Sequence, residues 1–397
     1  MHDYLIVPKA PLMLRDGRNF GAEAGLADTL PFPRPSTLAG AMRTAWAESQ
    51  PDFSYNEDGK IQLLAHQVQG PLLAEINAGQ LQILLPAPAD AVCLSPINYK
   101  PTPTPTLSVF RLKPEALVHD KEGTDLPHSG LMPVFLQGDN NSKPISNPPA
   151  FWYFERMTTW LEDDTSLPQP LDQQGVSALP KAIRTHVAID SQTQTNKIAH
   201  LFQTAGLHFA ERRLPKQNST SWGWAQPHYG LLMRFSADMP DSYRTVGGEA
   251  RLSQILNRQG TWPQCPDSLA NALANCQGFR LILVTPALFE HGYLPGFIDP
   301  ETLSGQIGGL SVGLKAISMP RWQAGTSWDM QKSWDSKTRI GGRGMRTAQR
   351  MVPAGAVFWF EIIQGDSAAL KNLWLHPITD RRANDGYGLA IPGVWTP

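Results

Sequence analysis

Apolar runs and alternations divide the chain into two rhythmic stretches with a proline-rich one between them. Residues 4–7, YLIV, are a short apolar run closed by Pro8, which predicts a buried first strand. Ser36 stands where an N-cap is expected. Leu38, Met42, Ala45 and Trp46 then recur at helical spacing, predicting an amphipathic helix from about 36 to 48. LQILLPA at 81–87 returns as a strand. From Pro86 the rhythm fails, and SPINYKPTPTPTLSVFRLKP and GDNNSKPISNPPA are polar and rich in proline. Residues 88–180 therefore read as an insertion holding one helix, near FWYFERMTTWLEDD.

Alternation resumes at RTHVAID, 184–190, with Val187 and Ile189 between polar neighbours. LHFAERRL and YGLLMRFSA read as strands around a long loop, PKQNSTSWGWAQPH, and EARLSQILNRQ has the spacing of a short helix. A second rhythm follows. GFRLILVTPALF, GLSVGLKAISM and GAVFWFEIIQG are strand-like, and DSAALKNLWLH is a helix that Asp366 would cap. Groups of strands with few short helices predict an α+β protein of two tandem ferredoxin-like, RNA-recognition-like domains. The expected domains are 1–275, carrying the 88–180 insertion, and 276–397.

Composition narrows the class. Hydrophobic residues make up 41% of 397 and charged ones 17%, as in a folded globular chain. With 34 basic and 35 acidic residues there is no overall positive field, so any anion site must be local. Cys93, Cys265 and Cys276 are an odd number with no CxxC pair, which argues against a disulfide framework and against structural zinc. The start, MHDYLIVPKAPLML, lacks the pattern of a signal peptide, and no apolar run is long enough to span a bilayer. A cytoplasmic protein without a membrane partner is expected.

Catalytic patterns are weak. GLSVG at 309–313 matches G-x-S-x-G with Ser311 as nucleophile and Asp329 or Asp335, then His376, following. That elbow needs a strand before and a helix after; SGQIGG is glycine-rich for a strand, and Pro320 denies a helix. GGRGMR at 341–346 lacks the GK[ST] ending of a phosphate loop. Its arginines, Arg339, Arg343, Arg346 and Arg350, have no Asp or Glu between 336 and 360. They make either a phosphate-binding segment or a solvated loop with partners elsewhere in the fold. The ten histidines show no metal-ligand spacing, and neither metal nor cofactor is expected. Trp222, Trp224 and Tyr229, with Arg212, Arg213 and Lys216, offer stacking faces and cations for single-stranded nucleic acid, or else simply core aromatics. In the opening stretch Arg15 and Arg18 flank the turn dipeptide Asp16-Gly17, Ser36 and Thr37 begin a helix whose N-terminal N–H groups favour anions, and Arg43 lies two turns on.

These stretches carry a resemblance. RDGRNFGAEAGLADTLPFPRPSTLAGAMRTAW is similar to the opening of the third Cmr-type subunit of type III-B CRISPR effector complexes, a RAMP family with an RDGRPF loop and an LPFP-PSTLAGALR helix. RTHVAIDSQTQTNKIAHLF, VGGEARL, LVTPALFEHGYLPGF and QRMVPAGAVFWFE follow in order, and NDGYGLAIPGVW resembles the family's final glycine-rich loop. Where the family often has Gly-Trp-Asp before a lysine-proline pair, this chain has TSWDMQKSWDSKTRIGG. The resemblance implies a non-catalytic protein that binds the 5′ repeat-derived tag of CRISPR RNA. It also implies docking to the large polymerase-like (Cas10-type) subunit and to a Cmr-type backbone RAMP subunit. It puts Arg184, His186, Lys197, Arg251, Gly386 and Gly388 beside Arg15, Arg18, Ser36, Thr37, Arg43, Arg339, Arg343 and Arg346 as RNA-binding positions. A hydrolase using Ser311 and a protein-bridging scaffold are the rival readings.

Overall fold

A computed structural model describes residues 1–14, 26–96, 108–117, 123–138, 142–165, 169–171, 173–213, 223–325 and 348–397, with backbone alone at 26–27, 96, 169, 197–200, 211–213 and 223–227. Strand outweighs helix, 44% to 16%, and the sheets are mainly antiparallel, so the mixed α and β character expected of the chain holds. The residues group into two compact units, each assembled from three stretches of sequence. One takes 1–82, 178–262 and 324–349; the other takes 83–177, 263–323 and 350–397.

In the first unit the strands lie in the order Val68–Asn77, Gly223–Phe235, His2–Pro8, Arg251–Asn257, Ser242–Val246, every neighbour antiparallel. His2–Pro8 is central. Tyr4 to Val7 are all buried, because both faces of this strand are covered, and a strand covered on both faces reads as a continuous apolar run. The helix Pro35–Ser49 buries Leu38, Met42, Ala45 and Trp46 as its spacing predicts. Its N-cap is Arg34, not Ser36, with Pro35 starting the first turn. Pro35 fits there because its missing N–H is one that no helical carbonyl would accept. Helix Glu57–Ala65 and strand Val68–Asn77 had no clear periodicity and were not expected.

EARLSQILNRQ is a strand, Arg251–Asn257, not a helix. Leu252, Ile255 and Leu256 have helical spacing. However, the turn at 247–250, with Gly247, Glu249 and Ala250 all at positive φ, folds the segment back onto Ser242–Val246, and it is paired on both sides. Residues 223–228, expected within a long loop, belong to the strand Gly223–Phe235, and the rest of that stretch, 215–222, lies outside the described residues. A ribbon, Lys181–Ile189 against Asn196–Leu207, completes this unit with Leu26–Ala27 parallel to its second strand.

In the second unit the order is Ser304–Ile307, Leu310–Ser318, Val357–Gln364, Gly278–Leu283, Leu389–Trp395, His376–Pro377, again antiparallel throughout. Here SGQI is a strand, against expectation, because a two-glycine turn pairs it with Leu310–Ser318. The Asp366 side chain accepts from Ala368 N as a cap should, but the helix it starts, Ser367–Leu373, is a 3₁₀ helix. Residues 88–180 carry more than the one expected helix. They hold the helix Phe154–Glu162 and a sheet of their own, in which Ala91–Pro96 pairs with Ser108–Pro114 and Ser142–Pro144. Its short, proline-ended strands hide in the sequence because pairing across tens of residues leaves no local signal.

Tyr4, fully buried, donates from its hydroxyl to Asp238 Oδ1 (3.1 Å) and accepts from Met239 N (2.8 Å). Burial first, and the Asp238 carboxylate with it, push its pKa up from 10.0 to about 12. As pH rises the unfolded chain loses this proton first, so the stabilisation is complete below about pH 10 and is lost progressively toward 12, by ~2–3 kcal/mol. Denaturant unfolding at stepped alkaline pH should show this loss in the native chain and not in Tyr4→Phe; parallel slopes would reject it. Among the described residues no helix is long and apolar enough to cross a membrane.

Candidate nucleic-acid interface

Where the first strand ends at Pro8, the turn Lys9–Pro11 meets the ribbon and the strand Gly223–Phe235 of the same unit. The result is a cleft of about 500 Å³ in which Lys9, Arg184, His208 and His228 converge. Among the described residues no carboxylate lines it. Phe209 and Tyr229 form its buried floor, and His208 is fixed by its own neighbourhood, its Nδ1 lying 3.0 Å from Ala210 N. Among the described residues no side chain pairs with Lys9, Arg184 or His228. A concave surface that gathers the Lys9 and Arg184 cations beside two imidazoles, with no counter-charge among the described residues, concentrates positive potential, and it suits a phosphate or a run of phosphates.

Arg184 sits there because it alternates along the ribbon with Ile183 and Thr185, opposite Thr204. His186, one repeat further, places Nε2 2.8 Å from Thr204 Oγ1, and its ring stacks on Phe202 at 5.2 Å. The ribbon's other positions leave Ile183, Val187 and Leu201 exposed. Lys197 lies on the second ribbon strand.

The remaining expected positions are dispersed. Thr37 lines a separate groove between the helix Pro35–Ser49 and the edge strand Ser242–Val246, and Ser36 is half-buried in the first turn of that helix. Arg43 packs into the interior: it is 5% exposed and donates from Nε and Nη2 to His66 O at 3.3 and 2.9 Å. Arg251 is ion-paired with Glu249. Gly386 and Gly388, in the second unit, take φ of 89° and 71°, and a Cβ on Gly388 would stand 2.5 Å from Thr379 Cβ. Its close approach is thus to Thr379. Arg15, Arg18, Arg339, Arg343 and Arg346 lie outside the described residues, as do Trp222 and Lys216. Tyr229, 2% exposed, turns no free face outward for stacking. Lys9, His208 and His228 escaped the sequence reading, since each stands alone in its stretch and only the fold gathers them.

Ser311 is the second residue of the strand Leu310–Ser318, after Gly308 and Gly309 at φ 58° and 82° and opposite Gln306. This is a hairpin, with no helix after the serine, so the strained elbow of a hydrolase is missing. Among the described residues no group of three or more His, Cys, Asp or Glu is placed to hold a metal. Cys93, Cys265 and Cys276 are free thiols, and burial pushes Cys93 and Cys276 up to about 11, away from reactivity.

A family model described as CRISPR-associated protein (Cas_Cmr3) matches residues 4–395. Solved structures similar to the chain include a cryo-EM structure of the Type III-B Cmr-beta bound to cognate target RNA and AMPPnP. That chain is 13% identical, with 94% of this chain and 88% of that chain covered and a TM-score of 0.45. A second, of Cmr-beta bound to cognate target RNA, is 14% identical with 90% and 86% covered and a TM-score of 0.43. No curated protein matches.

Proposed function

The chain belongs to the Cas_Cmr3 family of CRISPR-associated proteins, and from that membership we propose that it is a non-catalytic subunit of a type III-B effector complex that holds the 5′ tag of the CRISPR RNA. It docks in this reading to the large polymerase-like subunit and to a backbone RAMP subunit. The observation that carries the RNA-binding part is the cleft where Lys9 and Arg184 meet His208 and His228, with no carboxylate among the described residues that line it. Arg15, Arg18, Arg339, Arg343 and Arg346 are assigned to the same RNA.

Strand order supports a tandem ferredoxin-like architecture. In each unit the four central strands, numbered as they occur in sequence, lie side by side as 2-3-1-4 and antiparallel, the arrangement of a βαββαβ sandwich. The first unit keeps a helix in the first crossover, Pro35–Ser49, and the second keeps a 3₁₀ helix in the second, Ser367–Leu373.

Binding of tag RNA and of scrambled RNA, measured against salt concentration, tests the reading. Native protein should prefer the tag. Lys9→Ala and Arg184→Ala should each flatten the slope of log K against log salt by ~0.7, the value for one phosphate contact on a single strand. Equal affinity for both RNAs would remove the tag assignment, and unchanged slopes would remove the cleft.

A further inference from the structure

We propose that the outer edge of Ser242–Val246 is a strand-addition site, which takes an extended polypeptide segment of a partner protein beside the helix Pro35–Ser49. The ladder shows which backbone groups of the edge strand face outward. Lys9 N donates to Leu252 O (2.9 Å) and Arg258 N to Asp3 O (2.8 Å), so the even-numbered residues of this stretch turn toward the central strand. In an antiparallel strand each residue directs its N–H and C=O to one side and its neighbour to the other. Arg251, Ser253 and Ile255 therefore bond the edge strand at Val246, Arg244 and Ser242. Tyr243 and Thr245, opposite Gln254 and Leu252, turn their N–H and C=O groups outward. Tyr243 O accepts from Arg244 Nη1 (2.8 Å), which leaves it one lone pair; the Tyr243 N–H and both Thr245 groups have no partner among the described residues.

The space beside this edge has the right shape. It is a groove of about 420 Å³ walled on the helix side by Thr37, Ala41, Thr44 and Glu48. These are small over most of their length and recur along one helix face. On the other side Tyr243 and Leu252 stand 55% and 45% exposed. The outward groups repeat at every second residue, about 6.8 Å apart, which is the spacing of another strand.

Other occupants fit less well. Arg244, the cation among the described residues of the groove, is already paired with Glu48 at 3.0 Å, so among those residues a phosphate backbone meets no unpaired charge. A second copy pairing edge to edge would meet along five residues, short of the ~800 Å² per partner of a stable interface. A strand beside the helix gains main-chain hydrogen bonds from the edge and side-chain contacts from the wall.

The inference rests on the complex-subunit reading only for the source of the partner. Residue-resolved amide hydrogen exchange on the full chain, alone and in a complex co-expressed with the other effector proteins, tests it. Tyr243 and Thr245 amides should exchange quickly in the free chain and at least about tenfold more slowly in the complex. Thr245→Pro removes an outward N–H without breaking a ladder bond, and Ala41→Arg fills the groove; each should leave the thermal unfolding transition in place and lower partner retention at least about tenfold. Unprotected Tyr243 and Thr245 in an assembled complex would overturn the site and leave the subunit reading standing, whereas failure to assemble at all would overturn that reading. Protection with RNA alone, or rising with concentration of the chain alone, would replace the partner protein with nucleic acid or a second copy and reject the proposal.

Discussion

Asp90→Ala should lower the unfolding free energy by about 3–5 kcal/mol in denaturant titration, because it strands two buried guanidiniums in the second unit. Asp90 and Arg280 are fully buried, and Arg111 is 2% exposed. Arg280, in the middle of Gly278–Leu283, donates from Nη1 to Asp90 Oδ2 (2.6 Å), from Nη2 to Trp160 O (2.8 Å) and from Nε to Val394 O (3.0 Å). Trp160 Nε1 donates to Asp90 Oδ1 (3.0 Å), while the Arg111 guanidinium lies 3.6 Å from the centre of the Trp160 ring and donates to Trp160 O. One carboxylate thus answers two cations, helped by carbonyls and an indole face, while Arg111 Nε and Nη1 are buried without a hydrogen bond. Arg280→Met leaves Asp90 with Arg111 3.5 Å away, so its loss should be the smaller of the two. A milder effect for Asp90→Ala than for Arg280→Met would show that the carboxylate is not the centre of the network.

Gly388→Ala should cost about 2–4 kcal/mol of stability, from the left-handed backbone and the crowding it would create. At φ 71° a side chain is strained, and its Cβ would also lie 2.6 Å from Thr379 N. The loop has no slack. Thr285 Oγ1 donates to Gly386 O (2.7 Å) and accepts from Leu389 N (2.9 Å), which fixes the segment on both sides of Tyr387. Unfolding and RNA binding of the variant, measured together, separate two roles for this glycine. Lost stability marks a packing position, whereas native stability with weakened RNA binding would return Gly388 to the RNA surface.

Much of the sheet scaffold was legible in the sequence, because its central strands are buried and apolar. YLIV, GFRLIL and VFWFEIIQ could be nothing else once flanked by proline and glycine. Legibility stopped where local pattern and tertiary setting disagree. Leu252, Ile255 and Leu256 have helical spacing yet sit in a strand, since a two-sided ladder outweighs a propensity difference of ~1 kcal/mol. Arg43 belongs to the motif RTAW-bearing helix and looks available for phosphate, but it falls on the helix face that packs inward, and His66 O holds it.

The candidate site shows the same division. Arg184 was legible as a cation in a strand motif. Lys9, His208 and His228 are separated from it and from one another by tens to hundreds of residues, and no spacing rule connects them. By itself the sequence determined the family, the predominance of strands and the local elements whose apolar period is unmistakable, since burial writes a period of two or 3.6 directly into the chain. Only the tertiary structure decided which cations share a cleft, which arginines are buried in the interior, and which strand lies at the end of the described sheet. Those depend on pairing between distant segments, and long-range pairing leaves no periodic trace in either partner alone.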